Sequence, residues 1–300
     1  MIIGAVDIGT NSCRLLIAEV ENGRLNILAR GLESTSLGQG VHTEKILNET
    51  AIERTINGLA SFKQILDQYQ VNTYRIVATN AVREAENGKV FIQALADRLG
   101  LKGEVVSGSE EADLSYLGVK KGLPLSTPIA VIDLGGGSTE FIWEDENGRV
   151  NKYSLPLGAV RAYEADMSEK EIKSLLERLK PYEHELRRKN LVIVGGTATT
   201  LAAMHLKLEV YDPAVIHGYV LTIREVKSLL VLLMRLSAEE RKALPGLRPE
   251  RADIISNGLQ IVSAIMENYA KESIIISESD ILEGIIWRQA LEKRAITSFE

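Results

Sequence analysis

The chain has 300 residues, of which 45% are hydrophobic and 25% charged, and its formal net charge is −6. These values are typical of a soluble globular protein of about two domains, and the acidic balance argues against general nucleic-acid binding. The single cysteine, Cys13, excludes an internal disulfide and fits a reducing cytoplasm. No basic leader precedes the first apolar run, and the longest apolar stretch, 229–234, is too short to cross a membrane.

The first part of the chain is predicted as a strand meander followed by alternating helices and strands. Apolar runs indicate strands at 3–6, 13–19 and 25–31. Helical spacing of apolar residues predicts an amphipathic helix over 48–69, and a strand at 75–79 and a loop over 80–88 follow. A helix at 90–99, a strand at 104–106 and a helix from 107 to 121 complete this part. The segment 122–128, rich in Pro, Ser and Thr, is the best candidate linker.

The second part repeats this alternation of element types. Strands are predicted at 129–134 and 141–143, with a strand end and loop over 154–161. A capping-box pattern at 168–171 predicts a helix to about 189, followed by a strand at 191–194 and a helix at 198–204. Further helices are predicted at 223–236, 251–269 and 282–295, with a strand at 274–276. The alternation predicts an α/β fold.

Two short segments carry the same pattern at the end of an apolar strand. Asp7 is followed by Ile8-Gly9-Thr10-Asn11-Ser12, and Asp133 by Leu134-Gly135-Gly136-Gly137-Ser138. Both segments continue into a second apolar strand and then reach an Asn-Gly turn, at 22–23 and 147–148. This internal repeat predicts two similarly built halves, each with an Asp-Gly hairpin. If the halves face each other, the two loops line one cleft.

The residue types in these hairpins suit phosphate chemistry. Glycines allow close approach of the backbone, and consecutive N–H groups form an anion-binding nest. A neighbouring carboxylate is useful when a divalent cation bridges it to phosphate oxygens. The alternative is two ordinary hairpins, with Asp7 as a turn-capping residue and Glu140 on a solvent-facing strand. The repeat also aligns Arg14 with Glu140, so Arg14 is either a cleft residue or only covers a strand.

The order of motifs resembles the exopolyphosphatase / guanosine pentaphosphate phosphohydrolase family. The segments that carry the resemblance are 7–12, 78–83, 107–112, 133–140, 155–158, 195–197 and 251–253. The resemblance implies two ribonuclease-H-like domains of the actin-like ATPase fold flanking a central cleft. We expect domains at 1–123 and 124–300, with the option that the last helix, about 282–300, packs back on the first domain. The added C-terminal helical domain of longer members is not expected here, which leaves chain-length preference open.

The resemblance also assigns roles to individual residues. It makes Glu111 the catalytic carboxylate, with Glu110 as the neighbouring alternative, and Arg83 the arginine that clamps phosphate. The implied phosphate-binding residues are Thr10, Asn11, Ser12, Gly135, Gly136, Gly137 and Ser138. Asp133, Glu140 and Asp7 are the implied ligands of Mg²⁺.

The implied activity is release of terminal orthophosphate from inorganic polyphosphate by metal-assisted attack of water in the interdomain cleft. The first alternative is a guanosine pentaphosphate (pppGpp) 5′-phosphohydrolase of the stringent response. The further alternatives are a non-catalytic polyphosphate or nucleotide sensor and a kinase of the same superfamily. We expect a cytoplasmic protein, a homodimer as an option, and neither nucleic acid nor membrane as a partner.

Overall fold

The computed structural model of the chain describes residues 1–21, 23–123 and 125–297, with side chains described up to residue 293. The chain folds into two compact units. The first unit contains Met1–Val119 and the segment that begins at Asp280, and the second contains Lys120–Ser279. The first unit is therefore discontinuous in sequence. Across the described ranges, no helix combines the length and the apolar character needed to cross a bilayer.

The first unit is built on a five-stranded sheet with the order β3-β2-β1-β4-β5. The bounds are β1 Ile2–Ile8, β2 Ser12–Glu21, β3 Arg24–Ser34, β4 Tyr74–Ala78 and β5 Gly103–Val105. β1, β2 and β3 are antiparallel neighbours, whereas β4 pairs in parallel with β1 and β5 in parallel with β4. The predicted meander is present, although Asn22 of its Asn-Gly turn lies outside the described residues.

Helices of the first unit pack on this sheet and connect its strands. Their bounds are α1 Val41–Glu44, α2 Glu49–Gln68, α3 Asn80–Glu84, α4 Gly88–Leu99 and α5 Gly108–Gly122, the last of which ends in the second unit. The Asn48 side chain accepts a hydrogen bond from the Thr50 N–H at 2.8 Å and so caps α2. The predicted loop over 80–88 is wrong in its first half, because α3 is too short to show helical periodicity.

The second unit contains a six-stranded sheet whose order is β8-β7-β6-β9-β11-β10. The bounds are β6 Ile129–Leu134, β7 Thr139–Glu144, β8 Val150–Leu155, β9 Asn190–Val194, β10 Val220–Thr222 and β11 Ser273–Ile276. From β8 to β11 it repeats the first unit: an antiparallel meander followed by two parallel neighbours. This shared order confirms the internal repeat and the ribonuclease-H-like fold. The sequence predicted only the end of β8, near residue 154, and did not predict β10.

Helices of the second unit differ from the prediction at several places: the predicted helix over 168–189 is interrupted, and the short helices at 159–164, 213–216 and 238–241 were not predicted. Their bounds are α6 Ala159–Glu164, α7 Glu169–Leu176, α8 Glu183–Arg187, α9 Gly196–His205, α10 Pro213–Ile216, α11 Ile223–Arg235, α12 Ala238–Arg241 and α13 Ile255–Asn268. The capping box of Ser168 and Glu171 starts α7 as predicted. The helix does not run on to 189, however, because a 3₁₀ segment at Glu177–Tyr182 separates α7 from α8. That segment contains Pro181, which cannot donate a helical hydrogen bond.

The last helix, α14 (Ile281–Thr297), belongs to the first unit and packs on β1 and β2. Its apolar side chains join one buried cluster with the facing strand residues: Ile281, Leu282, Ile285 and Ile286 with Ile3, Ala5, Leu16 and Ala18. α14 also crosses α5 at two glycines. A Cβ on Gly284 would collide with the Leu114 carbonyl group, and one on Gly118 with that of Asp280. The crossing therefore requires glycine at both positions.

Candidate active site

The predicted site residues fall into two groups. Those of the first unit are Asp7, Thr10, Asn11, Ser12, Arg83 and Glu111, and those of the second are Asp133, Gly135, Gly136, Gly137, Ser138 and Glu140. Each group lies at the ends of the central strands of its own sheet.

The loop between β1 and β2 is fixed by backbone hydrogen bonds. The Gly9 N–H donates to the Ser12 carbonyl at 3.0 Å, which closes the hairpin. The Thr10 carbonyl accepts from the Gly38 N–H at 2.8 Å, and the Asn11 carbonyl accepts from the N–H groups of Thr35 and Ser36. Thr10 is only 5% exposed. The loop is thus hydrogen-bonded to the segment that follows β3.

Asp7 lies directly across the β1–β2 pair from Arg14. Arg14 donates to Asp7 Oδ2 from Nη2 at 2.7 Å and from Nε at 3.1 Å, and its Nη1 donates to Asp280. Burial lowers the pKa of the Arg14 guanidinium, but the carboxylates of Asp280 and Asp7 outweigh it, and the net pKa is raised. Asp7 Oδ1 is buried and has no hydrogen-bond partner within the described residues. Such an oxygen is suited to a cation or a ligand donor.

Arg83 and Glu111 are in direct contact. Arg83 Nη1 donates to Glu111 Oε2 at 2.8 Å and to the Val106 carbonyl at 2.9 Å. The Glu111 side chain is 12% exposed and lies in the first turn of α5. The helix that carries Arg83 is joined to the end of β1, because the Thr79 N–H donates to the Ile8 carbonyl at 3.1 Å. The structure therefore brings both predicted residues to the strand ends that also carry Asp7.

Glu110, the neighbouring alternative, has a different environment. Its carboxylate pairs with Arg75 at 2.5 Å, and its side chain is 39% exposed. Arg75 also pairs with Glu104, so Glu110 belongs to an ion-pair network at the surface. This geometry favours Glu111 over Glu110 as the catalytic carboxylate.

The glycine loop of the second unit repeats the hairpin bond of the first. The Gly135 N–H donates to the Ser138 carbonyl at 3.0 Å. The carbonyl groups of Gly135 and Gly136 accept from N–H groups of α6, and Arg161 Nε donates to the Gly137 carbonyl at 2.7 Å. In the described part of the chain, the N–H groups of Gly136 and Gly137 donate no backbone hydrogen bond. The carbonyl groups of the loop therefore accept hydrogen bonds from the rest of the unit, and the N–H groups of Gly136 and Gly137 are suited to bind an anion.

Asp133 and Glu140 face each other across the β6–β7 pair. Glu140 is 2% exposed, and its Oε1 accepts a hydrogen bond from Ser154 Oγ at 2.8 Å. The solvent-facing alternative for Glu140 is therefore wrong. Gly195 has a φ of +94°, and a Cβ there would lie 2.6 Å from the Leu134 carbonyl oxygen and 3.6 Å from Asp133 Oδ1. Glycine at position 195 has no Cβ, so the backbone there can approach the Leu134 carbonyl group and the Asp133 side chain closely.

The acidic residues fit an ion such as Mg²⁺, which takes some of its ligands from water and phosphate, better than an ion that is bound by protein side chains alone. In the ranges that the structure describes, no group of three or more His, Cys, Asp or Glu side chains is arranged to hold an ion. Mg²⁺, however, usually binds through one or two carboxylates and keeps water and substrate phosphates as its other ligands. The Asp133–Glu140 pair fits that pattern, since the two residues face each other on neighbouring strands, Glu140 is buried, and neighbouring carboxylates attract a cation.

Sequence reasoning missed three residues of these sites. Ser154 and Arg161 lie in a segment predicted as a strand end and loop, and their contacts depend on β8 and α6. Asp280 precedes α14 and reaches Arg14 over 266 positions of sequence. The only local signal for Asp280 was its spacing to Glu283, which is typical of a helix N-terminus.

The chain matches one family of phosphatases over most of its length. The Ppx/GppA phosphatase family matches residues 16–293. The chain is 35% identical to Exopolyphosphatase 2 of Mycobacterium tuberculosis, an alignment that covers 94% of this chain and 97% of that protein. It is 37% identical to the bifunctional 3-dehydroquinate synthase/phosphatase of Fusobacterium nucleatum, but it spans only 46% of that relative's length.

A solved structure agrees over the whole fold. The crystal structure of the Aquifex aeolicus member of the Ppx/GppA family has 32% sequence identity to this chain, a TM-score of 0.80 and 98% coverage of both chains. These matches confirm the resemblance and the two-domain, actin-like α/β fold predicted from the motifs. The chain belongs to the Ppx/GppA phosphatase family.

Proposed function

We propose that this chain is an exopolyphosphatase, which hydrolyses the terminal phosphoanhydride bond of inorganic polyphosphate and releases orthophosphate. The observation that carries the proposal is the contact of Glu111 with Arg83, because it places a carboxylate and a phosphate-binding group together at strand ends. The name of the Mycobacterium tuberculosis relative, Exopolyphosphatase 2, supports this substrate. Hydrolysis of a phosphoanhydride depends mainly on positioning and on charge neutralisation.

In the first unit, Glu111 orients the attacking water and accepts its proton. Arg83 Nη1 holds the Glu111 carboxylate at 2.8 Å, so the carboxylate has a fixed direction. The other N–H groups of the planar guanidinium suit phosphate oxygens, which arginine binds in a bidentate manner. Thr10, Asn11 and Ser12 supply further donors from the rigid loop after β1.

In the second unit, the N–H groups of Gly136 and Gly137 bind phosphate oxygens, and Ser138 adds a hydroxyl group. Asp133 and Glu140 would hold Mg²⁺ in this unit, and in the first unit the Oδ1 atom of Asp7 would offer an oxygen ligand to a divalent cation. When bound, Mg²⁺ supplies positive charge that neutralises the phosphate oxygens. Ser154 keeps Glu140 in place through the 2.8 Å hydrogen bond to its Oε1.

Four finer assignments belong to the same proposal. pppGpp is the alternative substrate, because its 5′-terminal bond is also a phosphoanhydride. A homodimer is supported by three exposed apolar residues of α11, Val231, Leu232 and Met234, and light scattering at micromolar concentration tests it. A cytoplasmic location fits the lone buried thiol of Cys13. The sensor and kinase alternatives differ from the proposal in releasing no phosphate and in transferring phosphate from ATP, respectively.

The experiment compares phosphate release from long-chain polyphosphate and from pppGpp in the presence of Mg²⁺. We expect faster release from polyphosphate and a rate loss of about 10²- to 10⁴-fold for Glu111→Gln, because general-base catalysis contributes that range. Glu110→Gln is the matched control, and its rate should stay within about twofold of the wild type, since Glu110 lies in the surface network.

Each contrary outcome has one meaning. A normal rate for Glu111→Gln would remove Glu111 from the chemistry. Faster release from pppGpp would reverse the substrate assignment. No release from either substrate would exclude a hydrolase and favour the sensor or the kinase, which ATP-dependent transfer then distinguishes.

A further inference from the structure

Three charged residues of the first unit form a linked set that the proposed chemistry does not yet use in full. Asp7 ends β1, Arg14 lies on β2, and Asp280 immediately precedes α14. The side chains of Asp7 and Asp280 are 8% and 4% exposed, whereas that of Arg14 is 27% exposed. Two buried carboxylates therefore share one arginine.

The hydrogen bonds divide the guanidinium between the two carboxylates. Nε and Nη2 both donate to the same oxygen, Oδ2 of Asp7, at 3.1 and 2.7 Å. Nη1 donates instead to Oδ2 of Asp280. Because a guanidinium is planar and rigid, contacts at both ends fix its orientation.

Asp280 is itself firmly anchored. Its Oδ1 accepts from the Leu282 N–H at 3.2 Å, and its own N–H donates to Glu283 Oε2 at 3.0 Å. Glu283 Oε1 in turn accepts from Arg30 Nη2 at 2.9 Å. The carboxylate that holds Arg14 is thus fixed by the first turn of α14 and by a second ion pair.

This arrangement leaves one oxygen of Asp7 unused. Arginine and carboxylate commonly pair in a bidentate manner, in which two N–H groups meet both oxygens. Here Arg14 meets only Oδ2, while Oδ1 is buried without a partner among the described residues. With Nη1 held by Asp280, the guanidinium is kept from turning toward the second oxygen.

We propose that Asp280 is a positioning residue for Asp7. By holding Nη1 of Arg14, it confines the arginine to Oδ2 and keeps Oδ1 directed at the divalent cation. The inference rests on the proposed function only in the assignment of Asp7 as a cation ligand. The first turn of the C-terminal helix thereby supports a site whose residues come from the start of the chain.

The test measures Mn²⁺ binding by calorimetry without substrate, together with the kcat/KM for polyphosphate and the melting temperature. Asp280→Ser keeps a helix-capping oxygen but is too short to reach Arg14. We expect Mn²⁺ affinity and kcat/KM each to fall about 10- to 100-fold, as when the groups that orient metal ligands are removed. Glu53→Gln is the matched control, because it removes a carboxylate that pairs with an arginine of the same unit, Arg98, without touching Arg14 or Asp280, and it should stay within about threefold of the wild type.

A double-mutant cycle with Arg14→Met separates positioning from simple stabilisation. If Asp280 acts through Arg14, Asp280→Ser adds no further loss of Mn²⁺ affinity in the Arg14→Met background. Equal and additive losses in the two backgrounds would overturn the proposal, as would a lowered melting temperature with unchanged affinity. Should Asp280→Ser fail to fold, Asp280→Asn, which keeps the volume and removes the charge, decides by the same binding measurement.

The outcome for the wild type keeps the two proposals apart. Absence of phosphate release with intact Mn²⁺ binding would refute the exopolyphosphatase activity while leaving the role of Asp280 to be decided by its variants. Absence of Mn²⁺ binding by the wild type would overturn the positioning role itself.

Discussion

Gly158 controls the position of the glycine loop, and its replacement by alanine gives a sharp prediction. A Cβ at this position would lie 2.5 Å from the Gly136 carbonyl carbon and 2.6 Å from the Gly137 nitrogen. The backbone of Gly158 is extended, with φ −146° and ψ 164°, so alanine meets no conformational strain of its own. The whole effect of Gly158→Ala must therefore come from the contact with the loop.

The size of the effect follows from that contact. Real Cβ atoms do not approach other heavy atoms within 3.0 Å, so the peptide between Gly136 and Gly137 must move by at least about 0.5 Å. Overpacking of this kind destabilises by about 1 to 3 kcal/mol. For a unit of this size the melting temperature should fall by roughly 2 to 12 °C. Because misplacement of about 1 Å at a site can reduce the rate 10²-fold, we expect kcat/KM to fall roughly 10- to 100-fold.

The assay is phosphate release from polyphosphate at a temperature well below both melting transitions. Gly246→Ala is the matched control in the same unit. Its Cβ would lie 2.5 Å from the Met204 nitrogen, and its φ of +80° adds strain, so it also destabilises, but it leaves the glycine loop untouched. Its kcat/KM should stay within about twofold of the wild type. Native kcat/KM for Gly158→Ala would refute the role of the loop in binding phosphate.

Three further predictions concern charge. Arg83→Lys keeps the charge but loses the planar guanidinium, so kcat/KM should fall about 10- to 100-fold. Arg75→Lys, at the surface pair with Glu110, should be near wild type in the same assay. Equal losses for the two variants would contradict the role of Arg83 in binding phosphate. Chelation of divalent cations with EDTA should stop phosphate release, and added Mg²⁺ should restore it. Phosphate release that continues after chelation would argue against Asp133 and Glu140 as cation ligands. Burial raises the pKa of the Glu283 carboxyl group from 4.5 to about 7, with Asp280 adding to the rise and Arg30 opposing it. The folded protein therefore keeps this proton where the unfolded chain loses it, and the stability that the protonated group contributes is complete below pH 4.5 and lost as the pH rises to about 7. The wild type should melt at a higher temperature than Glu283→Gln at low pH, and this difference should shrink as the pH rises from 4.5 to about 7, by an amount equivalent to about 1 to 3 kcal/mol. A difference in melting temperature that stays constant over this pH range would show that Glu283 does not titrate there.

The elements that carry the site were predictable because their signals are local. The apolar run of β6 ends at an acidic residue and three glycines, and α2 shows helical spacing over five turns. β8 gave no such signal, because Val150–Leu155 mixes polar and apolar residues and is stabilised by pairing with β7. Pro181 is the local sequence feature that accompanies the break after α7, because proline cannot donate a helical hydrogen bond.

The choice between Glu110 and Glu111 shows where sequence reasoning from residues ends. The two side chains leave the helix about 100° apart, and which of them meets Arg83 depends on how α5 is rotated against α3 and β5. That rotation is set by packing, including the close crossing at Gly118 and Gly284. The hydrogen bond between Arg14 and Asp280 also could not be predicted from local sequence patterns, because the two residues are 266 positions apart in the sequence.

The discontinuous first unit has a consequence for the order in which the protein is made. Its sheet leaves the ribosome first, but α14, which covers the apolar face of β1 and β2, is translated only after the 160 residues of Lys120–Ser279. At elongation rates of about 5 to 20 residues per second, that face waits roughly 8 to 32 s for its cover. During this interval Ile3, Ala5, Leu16 and Ala18 have no cover from α14, so the nascent chain is open to chaperones. The second unit is continuous in sequence, so all of it has been translated before α14 appears.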